Sequence, residues 1–186
     1  LRTSWIERCE AKVRRATMPD FRGARPDEPL EKRIARLEDI ESIRQLKHQY
    51  AVCCDNGYDA DGMSSLFIPD AVWESNKFGT YHGRDEIHRF ISEVGSDLVF
   101  ALHYMNNAII DVAKDGLSAK GTWILYEPAT MARSEDPGKD SVVITADYAD
   151  DFVKVDGEWR FSYVRANFRT VANLHEGWHD NPYRDG

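Results

Sequence analysis

The stretch that decides the fold is IRQLKHQYAVCCDNGYDADGMSSLFIPDAVWE, residues 43–74. Apolar residues recur every three or four positions up to Tyr50, which is the spacing of a helix with one buried face. Gly57 follows as a natural helix stop, and AVWES at 71–75 is typical of a short strand. The stretch therefore predicts a long helix, a short second helix and the first strand, in that order.

The helical pattern begins upstream of this stretch. From Leu30 to about Asn56 the apolar repeat predicts one long helix with a single buried stripe. The residues of the stripe are Ile34, Leu37, Ile40, Ile43, Leu46 and Tyr50.

The rest of the chain changes from a helical to a strand period after Gly95. GRDEIHRFISEVG at 83–95 predicts a third helix. Asp156 and Gly157 are typical of a tight hairpin turn between two strands. Helices followed by a long antiparallel sheet predict an α+β domain whose helices cover one face of a curved sheet. The segments that alternate or run apolar at strand length are 101–113, 117–128, 141–155 and 158–168.

Composition divides the chain into three parts. The opening segment is basic whereas the remainder is acidic, and PDFRGARPDEP at 19–29 holds too many prolines for a helix or strand. We therefore expect an N-terminal extension or arm at 1–33 and the α+β domain at 34–170. The C-terminal tail at 171–186 would be a lid or a subunit contact. Met18 is an alternative native start.

The overall composition limits the classes of partner. The net charge of −8 disfavours nucleic acid and acidic membrane surfaces. No apolar run is long enough to span a bilayer and no segment resembles a secretory signal, so the sequence predicts a cytoplasmic protein without membrane insertion. Aromatic residues make up 11% of the chain, which favours a cavity for a neutral or apolar small molecule.

The acids and cysteines in HQYAVCCDNGYDADG, residues 48–62, match no common metal motif. A calcium loop counted from Asp55 would place Gly57 where an acid or amide is needed, and it lacks the later glutamate. Zinc and dithiol sites use separated ligands, whereas Cys53 and Cys54 are adjacent. The sequence therefore predicts no metal, and we interpret both cysteines as small buried residues near the helix end.

Asp55 and His103 are the residues whose types point to acid–base chemistry. Asp55 falls at the C-terminal end of the long helix, where the helix dipole disfavours a carboxylate. A solvated turn aspartate also explains it. His103 is flanked by apolar residues at the start of a strand, which suits either a core histidine or a catalytic base. From these residues alone, both interpretations stay open.

Several segments together resemble the SnoaL-like branch of the nuclear transport factor 2-like superfamily, over about residues 34–168. Members of this superfamily are similar to a cone, in which a long helix and two shorter ones cover a strongly bent antiparallel sheet and leave a deep, largely apolar pocket. The resemblance therefore implies a cone-shaped α+β barrel. It rests on the opening stretch and on YHGRDEIHRFI, ALHYMNNAIIDV and YADDFVKVDGEWRF.

The resemblance also implies a set of catalytic residues. Scytalone dehydratase, bile acid 7α-dehydratase and hexachlorocyclohexane dehydrochlorinase share an Asp at the end of the long helix and a His on a central strand, which Asp55 and His103 match. Tyr50 matches the tyrosine of the bile acid enzyme, and Arg165 matches an arginine on a late strand. The implied catalytic set is Tyr50, Asp55, His103 and Arg165.

These residue types suit elimination without a cofactor. A histidine held by a carboxylate is fixed in one tautomer and made more basic, and a tyrosine can bond a carbonyl or protonate a departing hydroxyl. We expect a dehydratase-like lyase that acts on a hydrophobic ring-containing molecule such as a steroid, terpenoid or polyketide-derived compound. The alternatives are an isomerase or cyclase with the same dyad, or a non-catalytic hydrophobic-ligand-binding or assembly protein.

Aromatic and amide side chains are expected to line the substrate pocket, with Tyr126 preferred over its neighbour Glu127. Because enzymes of this branch are often trimers or dimers, the resemblance also implies a homo-oligomer. The predicted substrate-binding residues are Trp73, Tyr81, Asn107, Trp123, Tyr126 and Phe161.

Overall fold

A computed structural model describes the chain over residues 26–95, 98–132, 138–179 and 181–183. Within these ranges the helices are Leu30–Asp55 (α1), Ala60–Ser65 (α2) and Arg84–Val94 (α3). The strands are Phe67–Ser75 (β1), Gly79–His82 (β2), Leu98–Ala101 (β3), Tyr104–Val112 (β4), Ser118–Ala132 (β5), Lys139–Val155 (β6) and Glu158–Asn173 (β7). No helix in the described ranges is long and apolar enough to cross a membrane.

The strands form one seven-stranded curved sheet in the order β2-β1-β7-β6-β5-β3, with β4 also paired to β5. The predicted α+β cone is confirmed, but the sheet is mixed, because β1 runs parallel to β7. The expectation of an entirely antiparallel sheet was therefore wrong at this one pairing. The pairs β1–β2, β4–β5 and β6–β7 are joined by short connections and run antiparallel, whereas no turn sets the direction of β1 against β7.

The hairpin between β6 and β7 forms where the sequence predicts it. Asp156 and Gly157 have φ values of 51° and 85°, and positive φ at both central residues is the geometry of the tight turn that suits the twist of paired strands. Glycine adopts this conformation without the cost that a side chain imposes. The two strands that leave this turn are the longest in the sheet.

Helix α1 packs across the sheet through its C-terminal half. Ile43 and Leu46 are buried, and Asp39 ties the helix to the β6–β7 hairpin by accepting a hydrogen bond from Trp159 Nε1 at 2.9 Å. Ile34 and Leu37 are 46% and 63% exposed. The predicted buried stripe was therefore wrong for the first turns of α1, which lie outside the core cluster.

The limits of the predicted domain stay predictions. Helix α1 begins at Leu30 and β7 ends at Asn173, so regular structure extends past both ends of 34–170. Residues 1–25, which include Met18 and most of the predicted arm, lie outside the described residues.

Candidate active site

His103 and Asp55 meet where α1 ends beside the sheet. His103 lies in the break between β3 and β4, and both its backbone N–H and its ring Nδ1 lie 2.8 Å from Oδ1 of Asp55. The two contacts fix the ring orientation and make Nδ1 the protonated nitrogen, which leaves Nε2 available on the opposite side of the ring. The His103 side chain is only 5% exposed.

The contact with His103 offsets the unfavourable position of the Asp55 carboxylate at the C-terminal end of the helix. Asp55 is the last residue of α1, where the helix dipole disfavours a negative charge. Donors from His103 offset that cost, and they join the helix to the sheet across 48 positions of sequence. Asp55 thus holds the histidine ring from its outer edge, while its own side chain remains 27% exposed.

Glu127 lies on the other side of the His103 ring. Its Oε2 is 3.6 Å from Nε2 of His103, and its Oε1 is buried without a hydrogen-bond partner among the described residues. On β5 the side chains alternate, so that Leu125, Glu127 and Ala129 are buried whereas Tyr126 is 47% exposed. The preference for Tyr126 over Glu127 was therefore wrong, because a shift of one residue along a strand exchanges the two faces.

Four residues form a group that we call the cavity corner: Cys54, Asp55, His103 and Glu127. Two of them, His103 and Glu127, have shifted pKa values. Burial by itself would lower the pKa of His103, but Cys54, Asp55 and Glu127 together raise it to about 11. Burial raises the pKa of Glu127 more than His103 lowers it. The imidazolium is stabilised by acidic neighbours, and Glu127 holds a proton more tightly than an exposed glutamate does.

The cavity corner opens into a cavity of about 550 Å³, which includes the space at its mouth. Its walls are mostly apolar and aromatic, and its polar groups are few, as in sites for apolar small molecules. The polar lining residues are Tyr50, Cys54, Tyr58, Lys77, His103, Glu127 and Tyr148. The apolar lining residues are Trp73, Phe78, Phe90, Ile91, Val94, Leu98, Met131, Ile144, Phe168 and Val171.

Tyr50 presents its hydroxyl to this cavity in a defined state. The Trp73 indole N–H donates to its oxygen at 2.9 Å, and a hydrogen bond from Tyr148 also tends to lower its pKa. Burial outweighs both and raises the pKa of Tyr50 well above its usual value. A protonated phenol whose oxygen accepts a hydrogen bond from Trp73 keeps its own hydrogen for another acceptor, and a ligand in the cavity can supply one.

A second charged cluster, which we call the inner ion pair, was missed from the sequence. Lys47 and Asp150 are fully buried, with 2.8 Å between Nζ and Oδ2. The lysine ammonium lies 3.7 Å from the centre of the Tyr148 ring and 4.6 Å from that of Tyr50. Neither member lines the cavity. The sequence contains one sign of this pair, because Lys47 follows Ile43 by one helical turn and so lies on the apolar face of the helix.

The predicted residues divide into those that line the cavity and those that do not. Tyr50, His103 and Trp73 line it. Arg165 instead pairs with Glu74 on an exposed part of the sheet, so its predicted place in the pocket is corrected. The remaining predicted substrate-binding residues lie elsewhere, since strand alternation or core packing turns them from the cavity. Tyr81, Trp123 and Phe161 pack in or against the core, whereas Asn107 and Tyr126 are exposed.

Solved structures share this fold at low sequence identity. A hexachlorocyclohexane dehydrochlorinase, LinA type 2, matches with a TM-score of 0.68 and 20% identity over 76% of this chain and 93% of that one. A candidate scytalone dehydratase from Novosphingobium aromaticivorans gives 0.67 and 18%, over 77% and 92%. An NTF2-like protein with a cystatin-like fold from the same organism gives 0.59 and 24%, over 77% and 91%. At these identities the likeness shows the cone fold alone.

The family model for the SnoaL-like domain matches residues 35–165 of this chain, which is more than half of its length. Together with the curved seven-stranded sheet and the helices that cover it, this match shows that the chain belongs to the SnoaL-like family.

Proposed function

We propose that the protein is a cofactor-independent lyase that removes water from a hydrophobic, ring-containing small molecule. The observation that carries the proposal is the His103 ring, held at Nδ1 by Asp55 at 2.8 Å and facing an apolar cavity. In this mechanism His103 is the base, and Asp55 is a positioning residue that keeps the ring in one tautomer.

Glu127 would supply the acid for the same reaction. A single proton can lie on Nε2 of His103 or on Oε2 of Glu127, which are 3.6 Å apart. When the proton is on Glu127, the corner contains a neutral imidazole and a carboxylic acid together, although the raised pKa of His103 makes this the minor arrangement. The raised pKa of Glu127 supports this sharing, because it makes the protonated carboxyl less costly.

The chemistry that these groups support is elimination from a β-hydroxy carbonyl compound. His103 takes the proton from the carbon next to the carbonyl, and the electrons of that C–H bond form the new double bond. The hydroxyl leaves from the next carbon with the proton of Glu127, as water. Tyr50 would donate its free hydrogen to the carbonyl oxygen as enolate charge develops there.

The cavity walls support an apolar substrate with rings. Phe78, Phe90, Phe168 and Trp73 contribute aromatic faces, and aliphatic side chains form much of the remaining apolar wall. Such a surface stabilises flat or fused rings and offers little to a charged or sugar-like molecule. The substrate class that fits is a steroid-, terpenoid- or polyketide-like compound with one hydroxyl and one carbonyl near the cavity corner.

The test is turnover of a panel of apolar cyclic β-hydroxy ketones, followed by enone absorbance and by product mass. We expect loss of water with the wild-type protein and a rate lower by about 10²–10⁴ in His103→Gln. Arg165→Lys is the matched control, because Arg165 lies outside the cavity. Full turnover in His103→Gln would refute the mechanism. A product with the mass of the substrate would indicate an isomerase, and no turnover with any compound would favour a ligand-binding protein.

Subunit composition is a separate expectation. The homo-oligomer, a trimer or dimer, stays a prediction, and light scattering of the full chain measures it directly. A monomeric mass at all concentrations would contradict it.

A further inference from the structure

Cys54 is a cavity residue to which the proposed elimination gives no role. Its side chain is buried, yet it lines the cavity together with His103, one helical turn after Tyr50. The adjacent Cys53 does not line the cavity, and its Sγ lies beside Gly62. The two thiols therefore differ in surroundings, because Cys53 is partly exposed to solvent whereas Cys54 is buried and faces the cavity.

The Cys54 thiol and the His103 ring line the same cavity. Asp55 holds the His103 ring at Nδ1, and Cys54 is one of the groups that favour the protonated form of that ring. A histidine beside a thiol can take the thiol proton and so release the thiolate, which is the nucleophilic form of cysteine. For Cys53, burial and the nearby Asp59 raise the pKa, which disfavours its thiolate. Cys54 and His103 thus have the arrangement of a nucleophile and its acid–base partner.

Glu127 independently indicates that a ligand completes this site. Its side chain lines the cavity and is 2% exposed, and Oε1 has no hydrogen-bond partner among the described residues. A buried oxygen without a partner is costly, so a ligand group that bonds it stabilises the site. Because burial raises the pKa of Glu127, its protonated carboxyl can donate a hydrogen bond to a ligand carbonyl.

We propose that Cys54 is a nucleophilic site that captures apolar α,β-unsaturated carbonyl compounds as thioethers. His103 in its neutral form takes the thiol proton, and the sulfur forms a bond to the β-carbon. The π electrons of the carbon–carbon double bond move to the carbonyl oxygen as an enolate, and His103 then returns the proton to the α-carbon. The adduct contains every atom of the thiol and the ligand, so the step needs no oxidant, reductant or leaving group.

Capture of this kind would slow the enzyme as its product accumulates. The enone formed by the proposed elimination is an α,β-unsaturated carbonyl compound, and this link alone rests on the proposed function. The β-carbon that loses its hydroxyl in the elimination is the carbon that gains sulfur in the capture. His103 can remove the α-proton of the adduct again, so the thioether is reversible and the site regains its free thiol.

The test uses the full chain with Cys9→Ser, because Cys9 lies outside the described residues, and 2-cyclohexen-1-one as the probe. Intact mass and peptide mapping then locate the adduct. We expect one adduct per chain, formed at Cys54 about tenfold faster than at Cys53, which is the matched control within the same molecule. His103→Gln should slow the capture about tenfold, and excess cyclohexanone, which has no double bond, should slow it by competition.

Three results would overturn the inference: faster labelling of Cys53, no adduct at Cys54, or an unchanged rate in His103→Gln. Peptide mapping compares the two cysteines in one folded chain, so the outcome does not depend on whether a Cys54 variant folds. The measurement also needs no turnover. Enone capture without dehydration would therefore refute the proposed function alone, and dehydration without capture would refute this inference alone.

Discussion

The cavity corner and the inner ion pair are two clusters of buried charge built from similar groups. Each places a basic side chain against a carboxylate, Lys47 with Asp150 in one and His103 with Glu127 in the other. Both clusters leave one carboxylate oxygen without a partner among the described residues. Their surroundings differ, because His103 and Glu127 line the cavity whereas Lys47 and Asp150 do not.

This difference shows that buried charge does not by itself mark a functional site. Lys47 is surrounded by aromatic faces, at 3.7 Å from the centre of the Tyr148 ring, so its charge can act only on the protein. His103 lines the cavity, where its ring can act on a bound ligand. The inner ion pair is therefore expected to affect stability, and the cavity corner to affect turnover.

The largest effect is expected from Asp55→Asn. An amide at Nδ1 of His103 no longer stabilises the imidazolium and can favour the other tautomer, so kcat should fall by about 10²–10⁴. KM and the melting temperature should change little, since the side chain is partly exposed and keeps its shape. Steady-state kinetics and thermal unfolding of the same preparation make the measurement. A fall in melting temperature that accompanies the loss of rate would show that Asp55, like the inner ion pair, mainly stabilises the fold.

The next effect is expected from Lys47→Met, on stability. The variant leaves Asp150 buried without its cation, which costs about 3–5 kcal/mol. Urea denaturation at neutral pH measures this cost. Lys47→Met combined with Asp150→Leu is the control, because removing both charges restores much of the lost stability. A double variant as unstable as the single one would show that the cost is packing and not unpaired charge.

The fold could largely be predicted because its signals are local. The helical period of α1, the Asp156–Gly157 turn and the alternation of the long strands each depend on residues close in sequence. The parallel pairing of β1 with β7 could not, since it joins segments far apart in the chain. The exposed first turns of α1 were also missed, because an apolar repeat shows which face of a helix can be buried and not how much of it is covered.

The candidate site could be predicted only in part. Tyr50 and Asp55 point about 140° apart on an ideal helix, so both can face one pocket only if the helix end unwinds or the pocket wraps around it. Helix α1 stays regular to Asp55, and the conflict disappears because Asp55 does not need to face the cavity. It holds His103 from behind, while Tyr50 and Cys54, one turn apart, face the cavity.

The missed charged residues have a common cause. Glu127 and Tyr126 are neighbours, and only the register of β5 decides which one points inward. Lys47 stands on the apolar face of α1, which is a visible signal, but its partner Asp150 is 103 positions away. Contacts of this range are set by the folded sheet and leave no local pattern.

A third expected effect is the pH dependence of the inner ion pair. Burial, opposed by Lys47, raises the pKa of Asp150 from 3.8 to about 6. The folded protein therefore binds more protons than the unfolded chain between pH 3.8 and about 6. The stability contributed by this group falls by roughly 2 kcal/mol as pH rises through that window, which is most of the roughly 3 kcal/mol that the whole shift represents.

Urea denaturation of the wild-type protein and of Asp150→Asn at several pH values isolates this contribution. The asparagine cannot ionise, so its stability should fall less between pH 4 and pH 6 than that of the wild type, by roughly 2 kcal/mol. Parallel curves for the two proteins would mean that Asp150 titrates normally and that Lys47 fully compensates its burial.

The smallest effect is expected from Glu127→Gln. This variant tests whether Glu127 or its neighbour Tyr126 on β5 takes part in the reaction. Glutamine keeps the shape and can still bond a ligand, but it cannot hold the shared proton, so kcat should fall by about 10²-fold. The variant also removes a carboxylate that favours protonated His103, so the pH at which the base form appears should decrease. Tyr126→Phe is the matched control, because that side chain points to the outer face of the sheet. The contrary result would be a lower kcat in Tyr126→Phe together with an unchanged rate and pH profile in Glu127→Gln. In that case the acid of the reaction would lie outside the cavity corner, and Glu127, like the inner ion pair, would be a structural charge.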